Sequence, residues 1–493
     1  MWIVLKCFVI NAPPACVKRF PRQVHSDLPR SPFSRAKPIS WHPMNEHERS
    51  LKPDSSINTE AVEALSRAGC ILVLVTAFLG WMFAGVHLCI SSLVMRVAVK
   101  DLLGSANEGQ VGQWFGWLIC AFLLGAASGG FVFGKVGDRY GRGKAMALSI
   151  LCYSVFSLLS AMAQTPNQML VLRFLTCLGI GGMWPNGIAL VSEAWPNISR
   201  PFLAGAIGTA ANVGILLFAI LTCVWFITAD SWRWTLFLGG SPLVLGLFVL
   251  VAVPESPRWL AIQVKSNGPD PDRGGADQAV VRSWSLPEIF RPPLLRTTVI
   301  GIALGTVPLF GGWGSTNWAN AWASKVGDRA TTAEVNSDPT LKSRIMVARA
   351  LPGSISSLLG GALAMLIGRR LFYGLVSCAA LFSAQYLFWF LEPTDPQFLY
   401  WTAAIGLFSG FYFGWLPLCL PEMFPTRVRS TGAGVSFNFG RIITAFGVLG
   451  GAMLVNSFGG DYARIGQITS LIYALGVVVI LFAPDTSKTG LAE

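Results

Sequence analysis

Charge is what this sequence has least of. Asp, Glu, Lys and Arg together make up 13% of its 493 residues, against about 25% in soluble globular domains, and so small a share excludes an ordinary water-soluble fold. Histidine is rarer still: of four, three (His25, His42 and His47) precede the first apolar run. The ten cysteines contain no C-x-x-C pair. Most (Cys70, Cys89, Cys120, Cys152, Cys177, Cys223, Cys378, Cys419) lie inside apolar runs, where they read as small packing residues and neither a disulfide framework nor a metal site. No G-x-x-x-x-G-K-[ST] phosphate loop and no nucleophile with a paired base emerge. The expectation is therefore a protein with no metal, no cofactor and no enzymatic chemistry.

What fills the chain instead is apolar surface, with 53% hydrophobic residues and a mean hydropathy of +0.55. From Ala68 onward, apolar runs recur, each long enough at 1.5 Å per residue to cross about 30 Å of hydrocarbon. They fall at about 69–96, 111–134, 145–164, 168–192, 202–228 and 234–253, and again at about 297–323, 343–367, 371–391, 397–420, 431–457 and 464–483. The fold class is thus an all-α membrane protein of about twelve spans in two six-helix bundles. The expected divisions are an extension (1–66), a first bundle (67–254), a central loop (255–296), a second bundle (297–484) and a short tail (485–493).

The net charge of +12 is not a nucleic-acid signal, because Lys and Arg sit in short loops on one side. Lys135, Arg139, Arg142 and Lys144, then Arg369 and Arg370, then Arg427 and Arg429 share that side, while the loops near Thr165 and Thr394 hold no Lys or Arg. Positive-inside asymmetry puts both termini and the central loop in the cytoplasm, with a plasma (inner) membrane location. The sequon Asn197-Ile198-Ser199 then faces the wrong side for glycosylation. Residues 1–66, rich in Pro, Ser and Arg, read as a disordered cytoplasmic extension. Their apolar start lacks a basic n-region and a cleavage site, so it is no signal peptide, and Met44 is a second candidate initiator.

The halves repeat. Gly181, Glu193, Pro196, Arg200 and Gly205 return 229 residues later as Gly410, Glu422, Pro425, Arg429 and Gly434, and Gly141-Arg142 returns 227 residues later as Gly368-Arg369.

Four stretches carry a family resemblance. Gly134, Asp138, Arg139, Gly141 and Arg142, in an eleven-residue hinge ending at Lys144, resemble the loop between the second and third helices of the major facilitator superfamily, G-x-x-x-D-R-x-G-R-[RK]. Arg173 through Gly182, with Glu193 and Arg200; Pro254-Glu255-Ser256-Pro257-Arg258-Trp259-Leu260; and Pro421-Glu422-Met423-Phe424-Pro425-Thr426-Arg427-Val428-Arg429, followed by Asn438-Phe439-Gly440-Arg441, resemble its sugar-porter branch and the neighbouring aromatic-acid and sialate proton symporters.

That resemblance implies a secondary transporter, moving a small polar organic solute such as a sugar or organic acid by alternating access. Its partners would be that solute, protons and the lipid bilayer, with the chain a monomer. An uncoupled facilitator and a transporter-like solute sensor are the alternatives. In the family, Asp138, Arg139, Arg142, Glu193, Arg200, Glu255 and Arg258 correspond to an inner gate at the helix ends, with Arg369, Glu422 and Arg429 as its second-half counterpart. The plain alternative is topology-setting charge. At the position repeating Asp138 stands Met365, so the second half's lock is expected to be weaker.

Arg173 lies inside a span, where arginine costs about 2.5–3.5 kcal/mol on insertion scales and is expected to face a cavity or a partner. Its family counterpart assists proton coupling opposite a first-helix acid, but this first helix offers Ala84 and His87. With an ordinary pKa near 6.5, His87 is a candidate to carry the proton; the other readings are a bond across helices or a place in the solute path. Glycines between Phe310 and Trp322 let the seventh span unwind beside a cavity. Trp313, Asn317 and Trp318 there, with Trp184, Asn186, Gln385, Tyr412 and Trp415 elsewhere, are the expected solute contacts, though any of these tryptophans suits interface anchoring or packing as well.

Overall fold

The computed structural model describes residues 65–104, 108–195, 200–257, 259–260, 286–332, 340–425 and 428–484. The expected extension, most of the central loop, the tail, the sequon and Arg258 lie outside these residues. Among the described residues every regular element is helical, and twelve helices are long and apolar enough to span a membrane. In the first half these are α1 (Arg67–Leu93), α2 (Glu108–Tyr140), α3 (Arg142–Ser160), α4 (Pro166–Ala194), α5 (Arg200–Val224) and α6 (Arg233–Ala252). In the second they are α7 (Leu294–Val326), α8 (Leu341–Ile367), α9 (Arg369–Phe390), α10 (Pro396–Glu422), α11 (Arg429–Ser457) and α12 (Tyr462–Ile480). The twelve expected spans and the all-α class are both present.

Local sequence explains where helices begin. Ser66 caps α1 by accepting from the amide of Gly69 at 3.1 Å. Thr165 caps α4 with Pro166 in the first turn, whose missing N–H would have had no partner there anyway.

The expected hinge is smaller than its composition suggests. α2 runs on as helix to Tyr140, so Lys135–Tyr140 are its last turns, and the reversal is made by Gly141 at φ 109°, ψ 151°. Gly368, its repeat, turns with φ 100°, ψ 138° between α8 and α9. A side chain is strained in either conformation, which glycine adopts freely.

One core fills the first half and reaches across to Met346 and Ala350 of α8 and Ala445 and Val448 of α11, a second fills most of the rest of the second half, and within each half the helices meet through small residues. A Cβ on Gly129 of α2 would stand 1.8 Å from the carbonyl of Leu178 in α4, and one on Gly406 of α10 would stand 2.2 Å from that of Arg349 in α8. In lipid, where apolar surface gives no drive to associate, such close backbone approach supplies the packing energy. The halves meet along α2 with α11 and α5 with α8.

One end of the bundle carries the Gly141 and Gly368 turns and is called here the basic end; the other, with Thr165 and Thr394, is the far end. Bonds between the halves include three toward the far end, Ser92 to Asn317 at 2.7 Å, Arg96 to Ser324 at 2.9 Å and Thr222 to Ser343 at 2.9 Å, and others deeper in the seam, Thr209 and Asn212 of α5 to Ser357 of α8 at 3.1 and 3.3 Å. Toward the basic end, Gly134 on α2 and Gly434 on α11 have open space where a Cβ would be.

Gly141→Ala is expected to destabilise the fold by about 1–3 kcal/mol, because its Cβ would also stand 2.2 Å from a Glu255 carboxylate oxygen. Thermal unfolding in detergent should show the loss, while Gly134→Ala leaves the midpoint in place.

Candidate functional site

Between the halves, at mid-depth, lies a cavity of about 120 Å³. α1, α2, α4 and α5 form one wall, and α7, α8, α10 and α11 the other. Its surface is mainly aromatic and aliphatic. Trp81 and Trp184 lie with ring centroids 4.9 Å apart on the first wall, and Phe122 meets Trp313 across the divide at 4.5 Å. Ser92, Asn212 and Asn317 supply neutral hydrogen-bonding groups.

Two guanidiniums complete the lining. Arg349 projects from α8 toward the interrupted part of α7, where its Nη2 lies 3.6 Å from the place a Cβ on Gly312 would take. Its Nη1 has only the Met346 sulfur at 3.9 Å, and its Nε has no partner. Arg441, 8% exposed, reaches from α11 to the Ala126 carbonyl of α2 at 3.2 Å and to Asn438 Oδ1 at 3.3 Å, with its guanidinium carbon 4.7 Å from the centre of the Phe437 ring. All these partners are neutral. Among the described spans carboxylates stand only at helix ends, Glu108 at the far end of α2 and Asp138, Glu193 and Glu422 within two residues of a basic end, so none of them balances the arginines at cavity depth. Chemically this is a slot for a flat or apolar body carrying negative charge: guanidinium offers paired N–H donors that match a carboxylate, and the aromatic walls suit an unsaturated ring.

α7 is not unwound as expected. It widens into a π turn over Gly311–Thr316 and continues as helix from Asn317, an irregularity frequent at functional sites. The turn leaves Trp313 and Asn317 in the cavity wall, and Asn317 Oδ1 accepts from Ser92 Oγ.

Of the expected solute contacts, Trp184, Trp313 and Asn317 line the cavity, and five do not. Asn186 is tied to the Phe133 and Gly182 carbonyls at 3.0 and 2.9 Å. Trp318 stacks on Tyr462. Gln385 bonds the Gln467 carbonyl and Ser470 inside the second half. Tyr412 donates to or accepts from Ser377 at 2.7 Å, and Trp415 bonds the Arg369 carbonyl at 3.0 Å. The Asn186, Gln385, Tyr412 and Trp415 groups that bond are used holding helices together, while Asn186 Oδ1 and Trp318 Nε1 are buried without a partner among the described residues. Trp81, Asn212, Arg349 and Arg441 were missed; for the two arginines, the signal was a cation deep inside a span, the same one that marked Arg173.

Arg173 and His87 meet, but away from the cavity. Arg173, fully buried, donates to the His87 carbonyl at 2.6 Å and to Ser91 Oγ. The His87 ring bonds through Nε2 to the Gly239 carbonyl of α6 at 3.0 Å, packs edge-on against Tyr153, and leaves Nδ1 without a partner. Of the three readings open to His87, this is the geometry of the bond across helices.

At the basic end the motif residues form links within each half. Asp138 pairs with Arg142 one turn on, at 2.5 Å, on a surface where such a pair contributes about 0–1 kcal/mol. Arg139 lies over Tyr140. Glu255 accepts from the Gly143 amide with both oxygens, at 3.0 and 3.1 Å, so a carboxylate sits on the positive N-terminus of α3. Glu193 accepts from Ser256 Oγ. In the second half Arg369 meets Glu422 of α10 at 3.4 Å. Arg200 and Arg429 begin α5 and α11. Arg142 and Arg369 are repeat partners, yet the first bonds the acid four residues before it, whereas the second has Met365 there and turns to the next helix. Met365→Asp should draw Arg369 from Glu422 and change the accessibility of cysteines placed at the basic end; unchanged accessibility would show that this asymmetry has no bearing on the gate.

Comparison with known proteins gives four findings. Residues 72–270 match the family described as sugar (and other) transporter. The chain is 27% identical to a putative metabolite transport protein of Haemophilus influenzae, over 83% of this chain and 94% of the other. It is 34% identical to a 4-hydroxybenzoate transporter of Pseudomonas aeruginosa over 35% of this chain and 40% of that one. A solved D-xylose-proton symporter superposes with a TM-score of 0.62 at 20% identity, covering 85% of this chain and all of the other, and so shares the fold.

Proposed function

We propose, for a chain that is a transporter of the major facilitator superfamily similar to its sugar porters, that the solute is a small organic anion: a carboxylate on a flat, unsaturated or aromatic body. The observation that carries this reading is the pair Arg349 and Arg441 in a cavity wall with no acid. A sugar calls for many neutral donors and acceptors around its hydroxyls. This wall offers Ser92, Asn212 and Asn317 beside two cations and at least four aromatic rings. The partial similarity to a 4-hydroxybenzoate transporter supports the same class.

In this reading the carboxylate bridges Arg349 and Arg441, one from α8 and one from α11, while the ring lies between Trp81, Trp184 and Trp313. Movement is by alternating access: the far-end bonds at Ser92, Arg96 and Thr222 hold one entrance shut while the other is open, and the two halves rock about the α2–α11 and α5–α8 seams. With the basic end in the cytoplasm, the form described is the one facing inward. The inner-gate residues, Asp138, Arg142, Glu193, Glu255, Arg369 and Glu422 among them, keep each half's helix ends together as the gate opens and shuts. In this reading Arg173 and His87 brace α1 against α4 and α6, since the His87 ring bonds the Gly239 carbonyl and both stand away from the cavity.

Purified protein should gain thermal stability with benzoate-type and conjugated carboxylates and not with neutral sugars, since a ligand of the folded state raises its apparent stability. Stabilisation by sugars alone would reverse the assignment. Arg349→Gln should weaken carboxylate binding at least tenfold, about 1.4 kcal/mol, with the melting point of the empty protein kept within a few degrees.

A further inference from the structure

The charge balance of the cavity bears on turnover as well as on choice of solute. Building on the reading of the cavity as an anion site, we propose that the protein is an exchanger: it passes between its two open forms rapidly only when an organic carboxylate fills the cavity, so anion is swapped for anion and net flux is slow.

The argument concerns the empty form. With one end open, water reaches Arg349 and Arg441. To cross to the other open form, both ends must close and most of that water must leave. Two guanidiniums then face neutral partners only: the Met346 sulfur for one, the Ala126 carbonyl and Asn438 amide for the other. A buried charge without a counter-charge is strongly disfavoured, and the described residues supply none at that depth. In the described spans, Asp138, Glu193 and Glu422 stay at the basic end and Glu108 at the far end. The first helix has Ala84 where an acid would serve, and the His87 ring is bonded to Gly239. An imidazole also carries positive or no charge, so it balances an arginine in neither state. Arg173 adds a third deep cation, again against neutral oxygens. Among the described lining residues the only other titratable group is the thiol of Cys89. A bound carboxylate is therefore the one source of compensating charge, and it is present only on the loaded trip.

The full chain in proteoliposomes tests this with labelled 4-hydroxybenzoate as the probe. Uptake into vesicles preloaded with the unlabelled compound should be at least tenfold faster than into vesicles holding buffer alone. That ratio should survive a potassium–valinomycin voltage clamp and a protonophore. Equal initial rates in the two kinds of vesicle, or a proton gradient that drives uptake into anion-free vesicles at the exchange rate, would overturn exchange while leaving the anion reading intact. Uptake in neither condition, with no thermal stabilisation by the probe, would remove the anion reading and exchange with it. Arg441→Gln takes away one uncompensated charge, so its preloaded-to-empty ratio should fall toward one even as binding weakens; an unchanged ratio in transport-competent Arg441→Gln would refute the electrostatic cause.

Discussion

Positive charge held in a membrane layer without its complement is the constraint on which the rest of this structure turns. Arg349 and Arg441 sit where two helix bundles meet, and among the described residues neither has an acid within reach. Such groups are costly in hydrocarbon, and their place is understandable only if the seam between the halves is a path for water and solute. In the proposed reading, the aromatic rings around them select the solute, and the neutral partners around them slow the return of the empty form.

The bundles that frame this seam obey a different rule. Each is held by backbone approaching backbone at glycine, as at Gly129 against Leu178 and Gly406 against Arg349, and by polar side chains that bond carbonyls of a neighbouring helix. Tyr153 to Gly80, Tyr373 to Leu304 and Asn186 to Phe133 are examples. These contacts leave each half able to act as a unit. The seam adds bonds between single side chains, at Ser92 with Asn317 and Thr222 with Ser343 toward the far end and at Thr209 and Asn212 with Ser357 deeper in.

Much of the fold was legible in the sequence because hydrocarbon thickness and the 1.5 Å helical rise set run lengths directly. Even the pairing of Gly141 with Gly368 could be read from the repeat, and the two share one backbone geometry. The cavity was legible only in part. A deep cation announces itself against an apolar run, so Arg349 and Arg441 were as readable as Arg173. Aromatic and amide residues do not: Tyr412 and Phe413 are neighbours on α10, and only the rotation of the helix decides that Phe413 lines the cavity while Tyr412 bonds Ser377 in the core. Rotation follows from packing among several helices, which composition does not encode.

Under the proposed alternating access, the π turn in α7 has a consequence for how the far end would come apart. A π turn holds one residue more than the α turn it replaces, and one residue corresponds to about 100° around a helix. If Gly311–Thr316 tightens to α geometry, the segment beyond it rotates about its own axis and carries Asn317 away from Ser92, and Ser324 away from Arg96, with little sideways travel. The entrance would then unlock as a screw does, by twist, and the six-residue stretch rich in glycine would be the thread.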